Sequence, residues 1–84
     1  FKAFPNPINL NEHHLVTFSG LMENNIIKIT TLSGEEVISL SSIGGGTSWN
    51  LYDHSGSKVN EGIYLIFILS EDESEKLISK ILIR

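Results

Sequence analysis

The chain has 84 residues, a formal net charge of −4 and no cysteine, and its mean hydropathy of +0.06 is that of a folded domain rather than a disordered tail. The missing cysteines exclude disulfide bonds and thiolate metal sites, and the acidic pI near 5.2 argues against non-specific nucleic-acid binding. No apolar run approaches the roughly 20 residues of a membrane-spanning helix. Because residue 1 is not Met and no signal peptide follows it, we expect a single domain, residues 1–84, cut from a longer protein.

Short apolar stretches recur along the chain at intervals of about ten residues, separated by glycine, proline and polar turn residues. None of them carries the period of a helix. Residues 1–7 are predicted to form a short extended edge or entry segment that two prolines end, and strands are predicted at residues 14–19, 26–32, 37–40, 47–51, 63–69 and 76–84. Six or seven short strands at this spacing predict an all-β fold, an immunoglobulin-like antiparallel β-sandwich.

Residues 63–69 are predicted to form the central strand. They follow Gly62 without a charge, are rich in β-branched and aromatic types, and are too few for an average helix. Alternate side chains of a strand point to opposite faces. One face therefore carries Tyr64, Ile66 and Ile68, and the other carries Ile63, Leu65, Phe67 and Leu69. Both faces are apolar, so we expect both to be covered, the second by a neighbouring domain of the same protein or by a second copy.

The predicted core and one of its hydrogen bonds follow from the same alternation. The core is expected to contain Ile29, Trp49, Tyr64, Ile66 and Ile81. The segment Glu61-Gly62-Ile63-Tyr64 resembles the tyrosine corner of immunoglobulin-like sandwiches, so the Tyr64 hydroxyl is expected to bond to the backbone upstream of it.

Polar clusters that resemble chemical sites lack the spacing that such sites need. His13 and His14 are adjacent, so on an extended backbone they point apart and do not chelate one ion. Asp53-His54-Ser55 has the composition of a nucleophilic triad, but a triad is assembled by the fold and not by a contiguous tripeptide. A turn is the expected structure there.

Two further segments are interpreted in the same way. Asp53 and Asp72-Glu73 offer oxygen ligands without the alternating acidic pattern of a calcium loop. The run 44–46 of glycines is not followed by a helix or a Lys, which a phosphate-binding loop requires. We expect surface turns at these places, no cofactor, no metal and no enzymatic activity.

Three elements along the chain give a more specific indication. Phe4-Pro5-Asn6-Pro7 lies near the start, residues 60–65 lie about two thirds along, and residues 80–84 end the sequence. Together with residues 29–37 and 46–50, this order resembles the C-terminal sorting domain of the type IX secretion system, type A. The resemblance covers nearly the whole chain, and its motif residues here are Pro5, Asn6, Pro7, Gly62, Tyr64, Lys80, Ile81, Ile83 and Arg84.

The resemblance implies a targeting signal. Such a domain directs a cargo protein from the periplasm across the outer membrane through the type IX translocon. A surface sortase then often removes the domain and attaches the cargo to the cell surface. The implied partners are the translocon, that sortase and the preceding cargo domains, with neither nucleic acid nor a membrane span involved. The alternative is a structural module that docks on preceding domains or dimerises and has no sorting role.

The last predicted strand also carries charge. Lys76, Lys80 and Arg84 are expected on one face of it, with Ile81 and Ile83 in the core. This basic row either pairs with an acidic receptor surface or protects an exposed sheet edge from aggregation.

Overall fold

Two antiparallel sheets face each other in the computed structural model, which describes residues 1–70, 72 and 74–84, with the backbone alone at positions 77 and 78. The strands, in chain order, are β1 (Lys2–Phe4), β2 (Val16–Ser19), β3 (Ile26–Thr31), β4 (Glu36–Ser41), β5 (Thr47–Trp49), β6 (Gly62–Leu69) and β7 (Glu75–Ile83). One sheet has the order β1-β2-β5 and the other has the order β4-β3-β6-β7. The described residues form no helix, and the predicted antiparallel sandwich is confirmed.

The core lies between the sheets and contains side chains from both of them. Ile29, Trp49, Ile66 and Ile81 are fully buried and Tyr64 is 8% exposed, as predicted. The other buried apolar residues are Ile8, Val16, Phe18, Ile27, Val37, Leu51, Val59 and Ile83. Fully burying one such side chain contributes roughly 1.5–3 kcal/mol, so this cluster is the main source of the domain's stability.

Strand β6 is central, as its composition predicts. It pairs with β3 on one side and with β7 on the other. Ile66 lies opposite Ile29 in β3, and Tyr64 lies opposite Ile81 in β7. Directly opposed residues in antiparallel strands share a face, so these pairs form one continuous apolar layer over the core.

The second face of β6 is only partly covered within the domain. Ile63 is 43% exposed, and Leu65, Phe67 and Leu69 are half-buried. This partial exposure is consistent with the prediction that the face needs a further cover, because β3 and β7 shield these side chains only from the sides. The neighbouring domain or second copy remains a prediction.

The bulge in β7 corrects the predicted basic row. The pairing of β6 with β7 shifts register between Ile66 and Phe67. Lys80 lies opposite Leu65 on the outer face, whereas Lys76 lies opposite Ile68, whose side chain packs against the core. One extra residue in a strand moves everything beyond it to the other face. Lys76 therefore does not share a face with Lys80, and the predicted row of three cations is wrong.

The predicted turns lie where glycine and aspartate place them. Gly34 has a φ of 93° in the hairpin between β3 and β4, a value that suits glycine. Asp53 Oδ1 accepts hydrogen bonds from the backbone N–H groups of Ser55 (2.9 Å) and Ser57 (3.0 Å). In the acidic loop between β6 and β7, the predicted charges Glu71 and Glu73 lie outside the described residues.

Candidate functional site

The beginning of the chain pairs with its end. Ile8 N–H donates to Leu82 O (2.8 Å), Arg84 N–H donates to Ile8 O (2.8 Å), and Leu10 N–H donates to Arg84 O (2.8 Å). Ile8 and Ile83 form a parallel bridge, and both side chains lie in the core. The segment after the prolines thus adds a short strand to the outer edge of β7 and closes that end of the four-stranded sheet.

Asn6 extends this pairing with its side chain. Its Nδ2 donates to Lys80 O (3.3 Å), and its Oδ1 accepts from Leu82 N–H (3.2 Å). Proline has no backbone N–H to donate, and Asn6 lies between Pro5 and Pro7, so the side-chain amide supplies the donor and acceptor that a backbone peptide group would otherwise offer. The peptide bonds that precede both prolines are cis. Pro5 is half-buried and Pro7 is exposed.

Gly62 and Tyr64 flank the same part of β7 from the other side. Gly62 lies opposite Ile83 and Tyr64 lies opposite Ile81. The Tyr64 hydroxyl donates to Asn60 O at 2.7 Å, which confirms the tyrosine corner. Burial raises the pKa of Tyr64, while the bond to Asn60 acts in the opposite direction, so the neutral hydroxyl is the form that donates. Gly62 has a φ of 153°, which L residues rarely adopt.

Residues 80–84 therefore lie between the Asn6 segment on one side and the Gly62–Tyr64 segment on the other. Their side chains divide into a buried set and an exposed set. Ile81 and Ile83 fill the core at 0% and 1% exposure. Lys80 and Arg84 are exposed, since alternate residues point to opposite faces. The fold thus brings together the motif elements that the resemblance identifies, although Asn6 and Lys80, which are joined by a hydrogen bond, are 74 positions apart in sequence.

The pairing also decides between two interpretations of Lys80. Edge protection requires unpaired backbone groups along the strand. Here Lys80 O and Leu82 N–H bond to Asn6, and Leu82 O bonds to Ile8. This half of β7 is not an open edge, so its charges are available for another role.

Ile8 and Leu10 belong to this site but lie between the predicted segments 1–7 and 14–19, so the sequence prediction leaves them out. Ile8 is fully buried and Leu10 packs against the core. Each is a single apolar residue among polar neighbours, so no alternation marks a strand. The partner strand lies more than 70 positions away, beyond any local pattern. A lone Ile directly after Pro7 was the available signal.

The polar clusters behave as turns. The Ser55 hydroxyl donates to Asp53 Oδ1 (2.6 Å) and, with the backbone bonds from the same turn, lowers the pKa of Asp53. His54 is engaged through its backbone N–H, which donates to Val37 O (3.0 Å). His13 Nδ1 accepts from Asn9 N–H (2.9 Å). Within the described part of the chain, no group of three or more His, Cys, Asp or Glu side chains is arranged to hold a metal ion.

The described residues also contain no helix that is long and apolar enough to cross a membrane. The architecture is a β-sandwich in which the segment after the prolines pairs with the end of β7, and surface turns join its strands.

The comparisons with known proteins agree with this picture. Residues 2–84 match the family described as the secretion system C-terminal sorting domain. No curated protein sequence matches the chain. Among solved structures, the fold is similar to part of PorZ from Porphyromonas gingivalis, described as an essential bacterial surface component of the type-IX secretion system. That match has 25% identity and a TM-score of 0.83, and it covers 99% of this chain but only 11% of PorZ.

The family match spans almost every residue, and it includes the Pro-Asn-Pro, Gly-Ile-Tyr and C-terminal elements that meet around β7. The similarity to PorZ extends over the same sandwich. The chain therefore belongs to the family of secretion system C-terminal sorting domains, the sorting domains of the type IX secretion system.

Proposed function

We propose that the chain is the targeting signal that directs an attached cargo from the periplasm across the outer membrane through the type IX secretion system. The observation that supports this most is the convergence of the Asn6, Tyr64 and Lys80–Arg84 elements on one end of the sandwich. These elements build a surface that exists only in the folded domain, which is what a receptor needs to distinguish a finished cargo from an unfolded chain.

The proposed role continues at the cell surface. A sortase removes the domain there and attaches the cargo, so the protein is in the periplasm during transit and at the surface or outside the cell at the end. The function requires no cofactor and no catalytic group of this domain. In this proposal the residues that serve recognition are Pro5, Asn6, Pro7, Gly62, Tyr64, Lys80, Ile81, Ile83 and Arg84.

A second candidate function is a structural module that docks on preceding domains or on a second copy. The partly exposed apolar side chains on the outer face of β6 favour it, because such residues are commonly covered by a partner. Cargo export separates the two functions, since a purely structural module does not relocate a foreign protein.

The test is a fusion of residues 1–84 to the C-terminus of a periplasmic reporter in a cell with an active type IX system, beside the unfused reporter. We expect the fusion at the cell surface or in the medium, and the unfused reporter in the periplasm. If the folded fusion stays in the periplasm like the unfused reporter, the sorting function is refuted for this chain.

A further inference from the structure

On the outer face of the four-stranded sheet, apolar side chains next to the motif residues are exposed to solvent. Ile63 and Leu82 lie directly opposite each other in β6 and β7 and are 43% and 39% exposed. Leu65 is half-buried and lies opposite the exposed Lys80. We call the five outward-facing residues Ile63, Leu65, Lys80, Leu82 and Arg84 the open patch. It combines an apolar centre with two cations beside it.

At the other end of the same face, the exposed charge and the aromatic side chain have partners within the domain. Lys28 Nζ lies 2.7 Å from Glu75 Oε2 and 5.6 Å from the centre of the Phe67 ring. The cation thus has a carboxylate partner and an aromatic partner, which share its charge and cover part of the apolar surface. At this end of the face, the domain itself therefore supplies the partners of the lysine that lies beside apolar residues.

The cations of the open patch have no such partner within the described part of the domain. Among the residues that the structure describes, the one ion pair is that between Lys28 and Glu75. The nearest acid by register is Glu61, which directly precedes β6, and it makes no ion pair with Arg84 there. Two cations in one patch that make no ion pair among the described residues stand out in a domain with a net charge of −4.

The backbone holds the open patch in a fixed geometry. The C-terminal half of β7 pairs with β6 on one side and bonds to Asn6 and Ile8 on the other. A surface that is ordered before binding loses less conformational entropy when it binds.

We propose that the open patch is the docking surface for a protein of the secretion apparatus whose contact area has an apolar centre flanked by carboxylates. This inference rests on the proposed sorting function and adds the surface and the partner chemistry. Ile63, Leu65 and Leu82 supply the desolvated centre, and Lys80 and Arg84 select the acidic flank and steer the approach.

Charge makes the other occupants less suitable. A two-fold dimer uses one surface twice, so a dimer through the open patch would place Lys80 and Arg84 of one copy against the same two cations of the other copy. Glu61 would be the nearest acid to them. An anionic membrane would attract these cations but repel the rest of a domain with a net charge of −4. An acidic protein surface of limited area matches the cations without that repulsion.

The first experiment compares charge reversals in the reporter fusion. Lys80→Glu with Arg84→Glu changes the open patch, and Lys2→Glu with Lys58→Glu makes the same net change at exposed positions elsewhere. We expect the patch variant to lower the surface fraction of the reporter several-fold and the control variant to leave it unchanged. Both variants are expected to keep the melting temperature of the parent within a few degrees. Equal export of the two variants would overturn the proposal.

The second experiment tests the apolar centre in the same way. Ile63→Ser with Leu82→Ser is compared with Leu15→Ser and Ile43→Ser, since the latter two side chains are also exposed, at 53% and 81%. Export is expected to fall only for the patch pair. If the patch pair unfolds the domain, the single change Leu82→Ser, near the end of β7, provides the comparison. Normal export by folded patch variants would refute the apolar contact.

The third experiment identifies the occupant. A photo-cross-linking residue replaces Leu82 in the fusion, and the same residue replaces Ser48 as the control. We expect an adduct between the fusion and an envelope protein at position 82 alone, and we expect it to disappear with Lys80→Glu and Arg84→Glu. An adduct of twice the fusion's mass, a cross-link within the fusion, or binding to anionic vesicles in place of a protein adduct would each overturn the proposal.

These outcomes separate the two proposals. If the parent fusion is not exported, the sorting function fails and the docking surface, which rests on it, fails with it. If the parent fusion is exported and the folded patch variants are exported equally well, the sorting function stands and the docking surface is refuted.

Discussion

Tyr64 makes two kinds of contact that substitution can separate. Its ring packs edge-on against Trp49, with the ring centres 6.3 Å apart, and its hydroxyl donates to Asn60 O at 2.7 Å. The ring belongs to the core, whereas the hydrogen bond ties the segment before β6 to the strand itself. Truncating the whole side chain removes both contacts at once. Removing a core aromatic also costs roughly 3–5 kcal/mol, which approaches the total stability of about 5 kcal/mol expected for so small a domain.

Tyr64→Phe isolates the hydrogen bond. We expect the free energy of unfolding to fall by about 1–2 kcal/mol, because the Asn60 carbonyl loses its donor in a partly buried hydrogen bond while the ring stays in place. In a domain of this size each kcal/mol lowers Tm by about 4–8 °C. The matched control is Tyr52→Phe, whose side chain is 41% exposed and whose change should stay within about 0.5 kcal/mol. Equal stability of Tyr64→Phe and its parent, measured by urea titration, would remove the hydrogen bond from the explanation.

Asp72 links stability to pH at the loop before β7. Hydrogen bonds from the hydroxyls of Ser70 and Ser74, together with the Ser74 N–H, lower the pKa of Asp72 to about 2. A carboxyl group whose pKa is lower in the folded state than its unfolded value of about 3.9 stabilises the fold above that unfolded value. The stabilisation is lost as the pH falls through about 2.

The pH prediction is checked with Asp72→Asn. Melting curves of the parent and the variant should differ most at about pH 5–7, where the carboxylate is charged in both states, and should converge as the pH falls toward about 2. Asp72 is fully exposed, so solvent screening keeps the difference small. A difference that grows toward low pH would contradict this assignment of the hydrogen bonds.

At the scale of the elements, β7 depends on a segment from the opposite end of the chain. Asn6, Ile8 and Leu10 supply its outer neighbour, although the regular strand pairing there is limited to the single bridge between Ile8 and Ile83. The Asn6 amide is the part of this contact that can be removed without making a cavity, because its side chain is exposed. It is therefore the place to test whether the contact holds the strand.

Asn6→Ala should lower the free energy of unfolding by about 1 kcal/mol and should speed hydrogen exchange at the Leu82 amide, which loses its acceptor. The Ile66 amide in the middle of β6 should be affected less, since local opening at the chain end leaves the centre of the sheet intact. Asn11→Ala, at another exposed Asn, serves as the control. Unchanged exchange at Leu82, measured by NMR, would show that the Asn6 side chain does not hold β7.

The elements also show how far the sequence can be interpreted. Alternation and turn residues located β6 and its core face correctly, because burial and the pleat determine both. The same alternation failed at Lys76, since apolar residues continue through the bulge and no local property marks the extra residue. Ile8 was missed for a different reason, because its partner Ile83 becomes adjacent only when the sandwich closes.

At the scale of the whole molecule, the site is a product of folding. The Cα radius of gyration is 11.9 Å, close to the value of about 12 Å expected for a compact chain of this length. The contacts that build the site join residues 74 to 76 positions apart, and such contacts carry a loop-closure cost that only the complete core offsets. Motif order along the chain predicted these elements, but only the closed sandwich shows that they lie together, with Lys80 and Arg84 exposed and Ile81 and Ile83 in the core.

The central claim is that this folded surface, completed by residues 80–84, directs export. The most direct measurement is the fraction of a reporter that reaches the cell surface when it is fused to residues 1–84 and when it is fused to residues 1–79, in a cell with an active type IX system. Removing residues 80–84 deletes Ile81 and Ile83 from the core together with Lys80 and Arg84 from the surface. We predict that the shortened fusion stays in the periplasm while the complete one is exported. Equal surface fractions for the two fusions would contradict the claim.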